Sequence, residues 1–248
     1  MTFLSQFQSF LTHLDELRRR LVRILLGFIA ATLVCYNFVG KIIPVLVKPA
    51  ILKGGVSSGH LIFTSPLEAF SAYMTLAAVM GFLISLPFTL YQIWGFIGIA
   101  LRPHEKKFIV VFGPLSLLFF MLGVLFSYFV AIPLTYRFLM SFSSEYMQPM
   151  ITVSNYMGFL ANMLIAFGVT FELPLVLAFL ARIGIATPEF LRQKRRHAIM
   201  IILIIATIIT PPDVVSQVLL AIPLILLYEV GIIFVRVSYR GSPSFRSE

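Results

Sequence analysis

The chain has 248 residues, of which 59% are hydrophobic and only 12% charged, with a mean hydropathy of +0.98. A soluble domain carries about 25% charged residues and leaves roughly a third of its area wet, so this composition excludes a soluble fold, a disordered chain and a disulfide scaffold. The net charge of +9 reads as basic loops facing the cytoplasm rather than as a nucleic-acid surface, and the lone Cys35 offers neither a disulfide nor a thiol metal site.

The pattern predicts an all-α, polytopic membrane protein forming a single membrane domain over residues 1–240. Six transmembrane helices are expected at about 22–40, 69–97, 108–133, 155–181, 198–211 and 214–235, followed by a polar, disordered tail at 241–248. Ahead of the first span, Phe3, Phe7, Phe10, Leu14 and Leu17 are spaced by three and four. That is one apolar face of a helix lying on the membrane surface, with Asp15, Glu16 and Arg18, Arg19, Arg20 and Arg23 on its polar side. Residues 41–68 read as a mixed loop holding Pro44, Pro49, Gly54, Gly55 and Pro66. A short charged loop at 102–107 separates the second and third spans. A mixed loop at 137–149 and a basic one at 182–197 flank the fourth.

The fifth apolar segment, Ala198–Thr210, is short. Thirteen helical residues reach roughly 20 Å, against a hydrocarbon core of about 30 Å. Charge resolves its topology. Lys and Arg number four before the first span, three in 102–107, five in 182–196 and three beyond 235, fifteen of the nineteen in the chain. The other four are Lys41, Lys48, Lys53 and Arg137. Positive-inside orientation assigns the fifteen to the cytoplasm. Arg196 and Arg236 then share a side, so two short crossings separate them, with Asp213 at the outer tip and the bilayer locally thinned. Both termini are cytoplasmic on this reading. Pro87, Pro114, Pro133, Pro174 and Pro223 fall within spans, where each removes a backbone hydrogen bond and bends its helix.

Enzyme signatures are absent. His13, His60, His104 and His197 share no metal-ligand spacing, and the chain has no P-loop, no Gly-rich dinucleotide turn and no converging Ser/His/Asp set. No cofactor is called for. Glu172 is the most informative residue, because a charged acid in mid-span costs at least ~2.5 kcal/mol and so belongs against a cavity or a partner. Thr170, Asn162 and Gln217 are its expected polar company, and the face carrying Ala166, Gly168 and Thr170 is expected to open onto a cytoplasm-connected cavity. Glu229 lies seven residues before Arg236 and can approach the interface. Asp213 suits a cap on the last helix after Pro211-Pro212.

Six ordered motifs carry a family resemblance over about residues 10–236. They are Thr12-His13-Leu14-Asp15-Glu16-Leu17-Arg18-Arg19-Arg20-Leu21; Ser85-Leu86-Pro87 with Tyr91-Gln92-Ile93-Trp94-Gly95-Phe96; His104-Glu105-Lys106-Lys107; Ala166-Phe167-Gly168-Val169-Thr170-Phe171-Glu172-Leu173-Pro174; Thr210-Pro211-Pro212-Asp213-Val214-Val215-Ser216-Gln217; and Ala221-Ile222-Pro223 with Tyr228-Glu229. The chain resembles the TatC family, core subunits of the twin-arginine protein translocase. One departure is Ile99, where many members carry proline.

The resemblance implies a non-enzymatic receptor of the bacterial cytoplasmic (inner) membrane. It would bind the twin-arginine signal peptides of folded cargo. It would assemble with the single-span partners TatA and TatB, as a homo-oligomer within the complex, for transport driven by the proton-motive force. Glu16 and Glu105 match the family's signal-binding acids, with Arg18, Phe96 and Trp94 as supporting positions. Physics agrees that a guanidinium pair wants carboxylates, since Arg forms planar bidentate pairs that Lys cannot copy. Glu16 could equally form an i,i+4 pair with Arg20, Glu105 could be a first-turn acid, and Phe96 and Trp94 could be interfacial aromatics. Glu172, Gln217 and Glu229 are the candidate intramembrane partner contacts, and Pro49, Pro87, Pro174 and Asp213 the structural positions. The competing reading is a proton-coupled small-solute transporter using Glu172. Such a carrier should show an internal repeat, and none is visible.

Overall fold

The computed structural model describes residues 3–48, 61–101, 106–142, 144, 150–209 and 214–240. It is a bundle of helices in chain order: α1 (Phe3–Tyr36), α2 (Val39–Lys48), α3 (Pro66–Ala100), α4 (Lys107–Phe126), a π turn (Ser127–Ala131), α5 (Ile132–Met140), α6 (Val153–Phe171), α7 (Leu173–Arg182), α8 (Pro188–Gln193), α9 (Arg195–Ile209) and α10 (Val214–Arg240). Pro66–Ile99, Lys107–Met140 and Val153–Arg182 are each long and apolar enough to cross a membrane. The bent pair His13–Tyr36 and Val39–Val47 makes a fourth if taken as one span. These counts concern the described residues, and they establish an all-α, polytopic membrane protein.

Local chemistry sets the helix ends. Ser65 caps α3, its Oγ accepting from the Glu68 amide at 3.3 Å, with Pro66 pre-set for the first turn. Thr152 caps α6 and Thr187 caps α8 in the same way. After α7 the chain turns through Gly184 at φ 78. The Ile185 amide bonds the Leu180 carbonyl at 2.9 Å and the Gly184 amide bonds Ala181 at 3.1 Å. That double closure needs a left-handed residue, which glycine adopts without strain. The helical rod 153–182 is interrupted at Glu172, two residues before Pro174, whose ring carries no N–H for the helical ladder.

α6 is the central helix. Tyr156, Met157, Leu160, Met163, Leu164 and Phe167 are fully buried at helical spacing. Between membrane helices lipid removes the hydrophobic drive, so close approach through small residues takes over. Gly81 lets α3 lie directly on the Thr32 backbone of α1, and Gly123 lets α4 lie on the Phe167 carbonyl of α6. Large apolar side chains on the outside, such as Leu26, Leu33 and Val110, face where acyl chains would be.

The end opposite the basic loops departs from the sequence expectation. A loop is predicted from 41, but residues 39–48 form α2, which turns 85° from α1. Two tyrosines hold the C-terminal carbonyls that this short helix leaves unbonded. Tyr128 donates to Val45, and Tyr156 donates to Leu46 at 2.7 Å. Beside it, Ile62 and Thr152 form a parallel bridge. The Ile62 amide donates to Ile151 at 3.2 Å and the Val153 amide to Ile62 at 2.8 Å. Glu68 locks this cap. Its carboxylate accepts from the Thr64 amide and hydroxyl, both at 2.8 Å, and from the Ser154 amide at 3.4 Å. Glu68 lies in the first turn of α3. Pro49, Asp213 and the tail 241–248 lie outside the described residues.

Candidate functional site

The basic end of the molecule is built where α1 crosses the C-terminal part of α3. His13, Glu16 and Arg20 fall on one face of α1 at i, i+3 and i+7. Arg20 Nε donates to Glu16 Oε1 at 2.7 Å, and Arg20 Nη1 donates to the Gln92 carbonyl at 3.1 Å. Gly95 makes room for that guanidinium, since a Cβ there would overlap Arg20 Nη1. The His13 ring lies 4.9 Å from the Phe96 ring. The i,i+4 pair open to Glu16 is therefore formed. It commits one carboxylate oxygen, and Oε2 accepts no hydrogen bond among the described residues.

Two sequence-stated positions are placed differently from their neighbours. Trp94 is only 6% exposed, wedged between Phe112 at 5.9 Å and Phe179 at 5.1 Å. It is part of the core. Its packing fixes the end of α3 that carries Phe96. Arg18 is exposed on the far side of α1 from Glu16. Glu105 lies outside the described residues. The adjoining start of α4 is basic: Lys107 and Arg182 both lie over the Phe108 ring, at 5.7 and 5.2 Å.

Glu172 sits at the α6–α7 break. Ser116 Oγ of α4 donates to its Oε2 at 2.8 Å, while Oε1 is enclosed with no hydrogen-bond partner among the described residues. The expected company is corrected. Thr170 donates to the Ala166 carbonyl of its own helix at 2.7 Å, and Asn162 is exposed. Gln217 bonds across the α9–α10 hairpin, to the Leu203 carbonyl at 3.1 Å and to Thr207 Oγ1 at 2.5 Å. Gly168 lies against the Phe120 ring of α4, and Thr170 is buried. Sequence reasoning missed Ser116, a lone serine in an apolar run, 56 residues from its partner.

Glu229 of α10 accepts from Arg195 Nη2 at 2.6 Å, with both side chains part-exposed. The adjacent Tyr228 hydroxyl donates to the Leu191 carbonyl at 2.9 Å, tying α10 to α8. No three His, Cys, Asp or Glu side chains among the described residues gather to hold a metal.

Fold and polar groups together define a multi-pass, all-α membrane protein whose polar contacts join helix to helix. The family model described as "Sec-independent protein translocase protein (TatC)" matches residues 12–223. Proteins of that name are similar along nearly the whole chain. The one from Desulforapulum autotrophicum is 41% identical over 239 residues, covering 96% of this chain and 88% of its own. The Aquifex aeolicus protein is 39% identical, covering 92% and 95%, and the Escherichia coli K12 protein 36%, covering 97% and 93%. A solved structure titled "Crystal Structure of Twin Arginine Translocase Receptor- TatC" superposes with a TM-score of 0.82 at 38% identity, covering 91% of this chain and 99% of that one. The chain belongs to the TatC family, and so is a non-catalytic transmembrane component of the Tat protein-transport machinery of the inner membrane.

Proposed function

We propose that this protein is the signal-peptide receptor and assembly core of a twin-arginine translocase. It spans the membrane six times with both termini in the cytoplasm. α9 and α10 supply the fifth and sixth crossings, and α9, at 15 residues, reaches only about 22 Å. The basic end carrying Arg20 and Lys107 then faces the cytoplasm.

The observation that carries the reading is Glu16. It is held in place through one oxygen by Arg20, which is itself clamped to the Gln92 carbonyl, and its other oxygen is open to accept. A carboxylate fixed in this way is pre-organised for a guanidinium on the incoming peptide, and Glu105, two residues before α4, would supply the second acceptor. Phe96, on its His13 support, offers an apolar contact beside them, with Arg18 a peripheral position. Within the membrane, Glu172 with its spare oxygen, Gln217 with Thr207, and Glu229 are the polar groups for TatA- and TatB-type helices and for a second copy of this chain. Transport itself draws on the proton-motive force.

The test is site-specific photocrosslinking from position 105 to a twin-arginine signal peptide. The reading expects a crosslink that a twin-lysine peptide does not give. Equal crosslinking of both peptides would overturn it.

A further inference from the structure

A groove of about 510 Å³ runs between α1, α3 and α4, within the size range of small-molecule sites. Tyr91, Trp94 and Gly95 of α3 line one wall and Val110 and Gly113 of α4 the other, while Arg20 of α1 stands at one end. The two glycines hollow it out: a Cβ on Gly113 would find nothing closer than Trp94 Cδ1 at 3.9 Å. It opens sideways from the bundle, because Tyr91 is 73% and Val110 76% exposed. Both lie on helices apolar and long enough to cross the membrane, so the opening faces acyl chains.

The groove is chemically two-ended. Its length is apolar. Its Arg20 end is basic; beyond the lining, exposed Lys106 caps α4 one turn before Val110, Lys107 follows it, and Arg23 stands one turn along α1. Glu16 is the acid facing Arg20, and it occupies Nε; Nη1 is taken by the Gln92 carbonyl. Among the described residues that line the groove, Arg20 is the one charged side chain.

We infer that this groove is a binding site for one anionic phospholipid, with an acyl chain between Tyr91, Val110 and Gly113 and the phosphate at Arg20 and Lys106. An apolar slot closed by guanidinium and ammonium groups at the membrane surface suits that amphiphile. A zwitterionic lipid would bring its own ammonium among the same cations. The hydrophobic stretch of a peptide is the competing occupant, and competition with a twin-arginine peptide separates the two. The site does not depend on the peptide-receptor reading, because its occupant is a lipid and its lining residues lie below Glu16.

The full-length protein in detergent is incubated with a phosphatidylglycerol bearing a photoreactive acyl chain, and crosslinks are mapped by peptide mass spectrometry. Crosslinks are expected within residues 87–95 and 109–117. Unlabelled phosphatidylglycerol should compete at least about fivefold better than phosphatidylcholine, the effect of one interfacial cation. Gly113→Phe, which fills the slot, should lower labelling at least about fivefold. Gly113→Leu serves as a smaller plug, and Arg20→Gln should remove the preference for the anionic lipid. Equal competition by the two lipids on the unaltered protein overturns the proposal even if every plugged variant misfolds. So does unchanged labelling in a folded plugged variant. Displacement of the label by a twin-arginine peptide but not by phosphatidylglycerol would assign the slot to peptide and overturn it as well.

Discussion

Gly123→Ala tests the packing that sets the helices at their spacing. A Cβ at this position would stand 2.5 Å from the Phe167 carbonyl oxygen, 2.9 Å from its carbon and 2.9 Å from Phe171 Cβ. Two of these are backbone atoms of α6, so no side chain can swing away and α4 must move off α6. Overpacking of this kind costs about 1–3 kcal/mol, while Ala in place of a mid-helix Gly returns about 0.5–1 kcal/mol. The net is a loss of roughly 0.5–2 kcal/mol, or a thermal midpoint about 1–8 °C lower. Gly158→Ala, in the interior of α6, is the internal control. A Cβ there meets nothing within 4 Å, so only the backbone gain remains and the midpoint should rise by about 1–4 °C. Cys35 provides the readout, being the chain's single cysteine and 3% exposed, so a thiol-reactive dye in detergent reports its release on unfolding. A Gly123→Ala protein that melts at or above the parent, or a Gly158→Ala protein that melts below it, would refute the reasoning.

Three further outcomes follow from the same structure. Glu172→Gln keeps the acceptor for Ser116 and should export near normally, whereas Glu172→Ala should export less well; complete loss with Gln, at normal protein level and peptide binding, would instead favour a role for ionisation. In sealed cells, cysteines placed at 55 or 145 should label from outside and those at 104 or 193 only from inside, and external labelling at 193 would break the six-span topology. Glu68→Ala removes the carboxylate that accepts from Thr64 and Ser154 and should lower the thermal midpoint. An unchanged midpoint would count against the clamp.

The sequence made some of these features readable and hid others for physical reasons. Long apolar runs bounded by basic loops are local signals, so α3, α4 and α6–α7 fall where hydropathy puts them, and Glu172 stands out as an acid in such a run. α2 was not legible, because its ten residues contain Pro44 and merge into a Gly- and Pro-rich loop, and the 85° turn is held by tyrosines from α6 and the π turn. Trp94 looks like an interfacial aromatic until Phe112 and Phe179, from two other helices, close around it. The Ser116–Glu172 bond and the Glu68–Ser154 contact span 56 and 86 residues, and no periodicity encodes such pairings. The Glu16–Arg20 pair was readable from spacing alone, because i,i+4 neighbours are fixed by the helix itself.

The central claim, that carboxylates at the cytoplasmic end recognise the two arginines of a signal peptide, is tested most directly by equilibrium binding. The affinity of a labelled twin-arginine peptide would be measured for the parent protein and for the Glu16→Ala/Glu105→Ala double variant, with a twin-lysine peptide alongside. Each lost charge-assisted bond is worth about 1.5–3 kcal/mol, so the double variant should bind at least about tenfold more weakly and lose its preference for arginine over lysine. A double variant that binds the twin-arginine peptide as tightly as the parent, with the preference intact, would contradict the account.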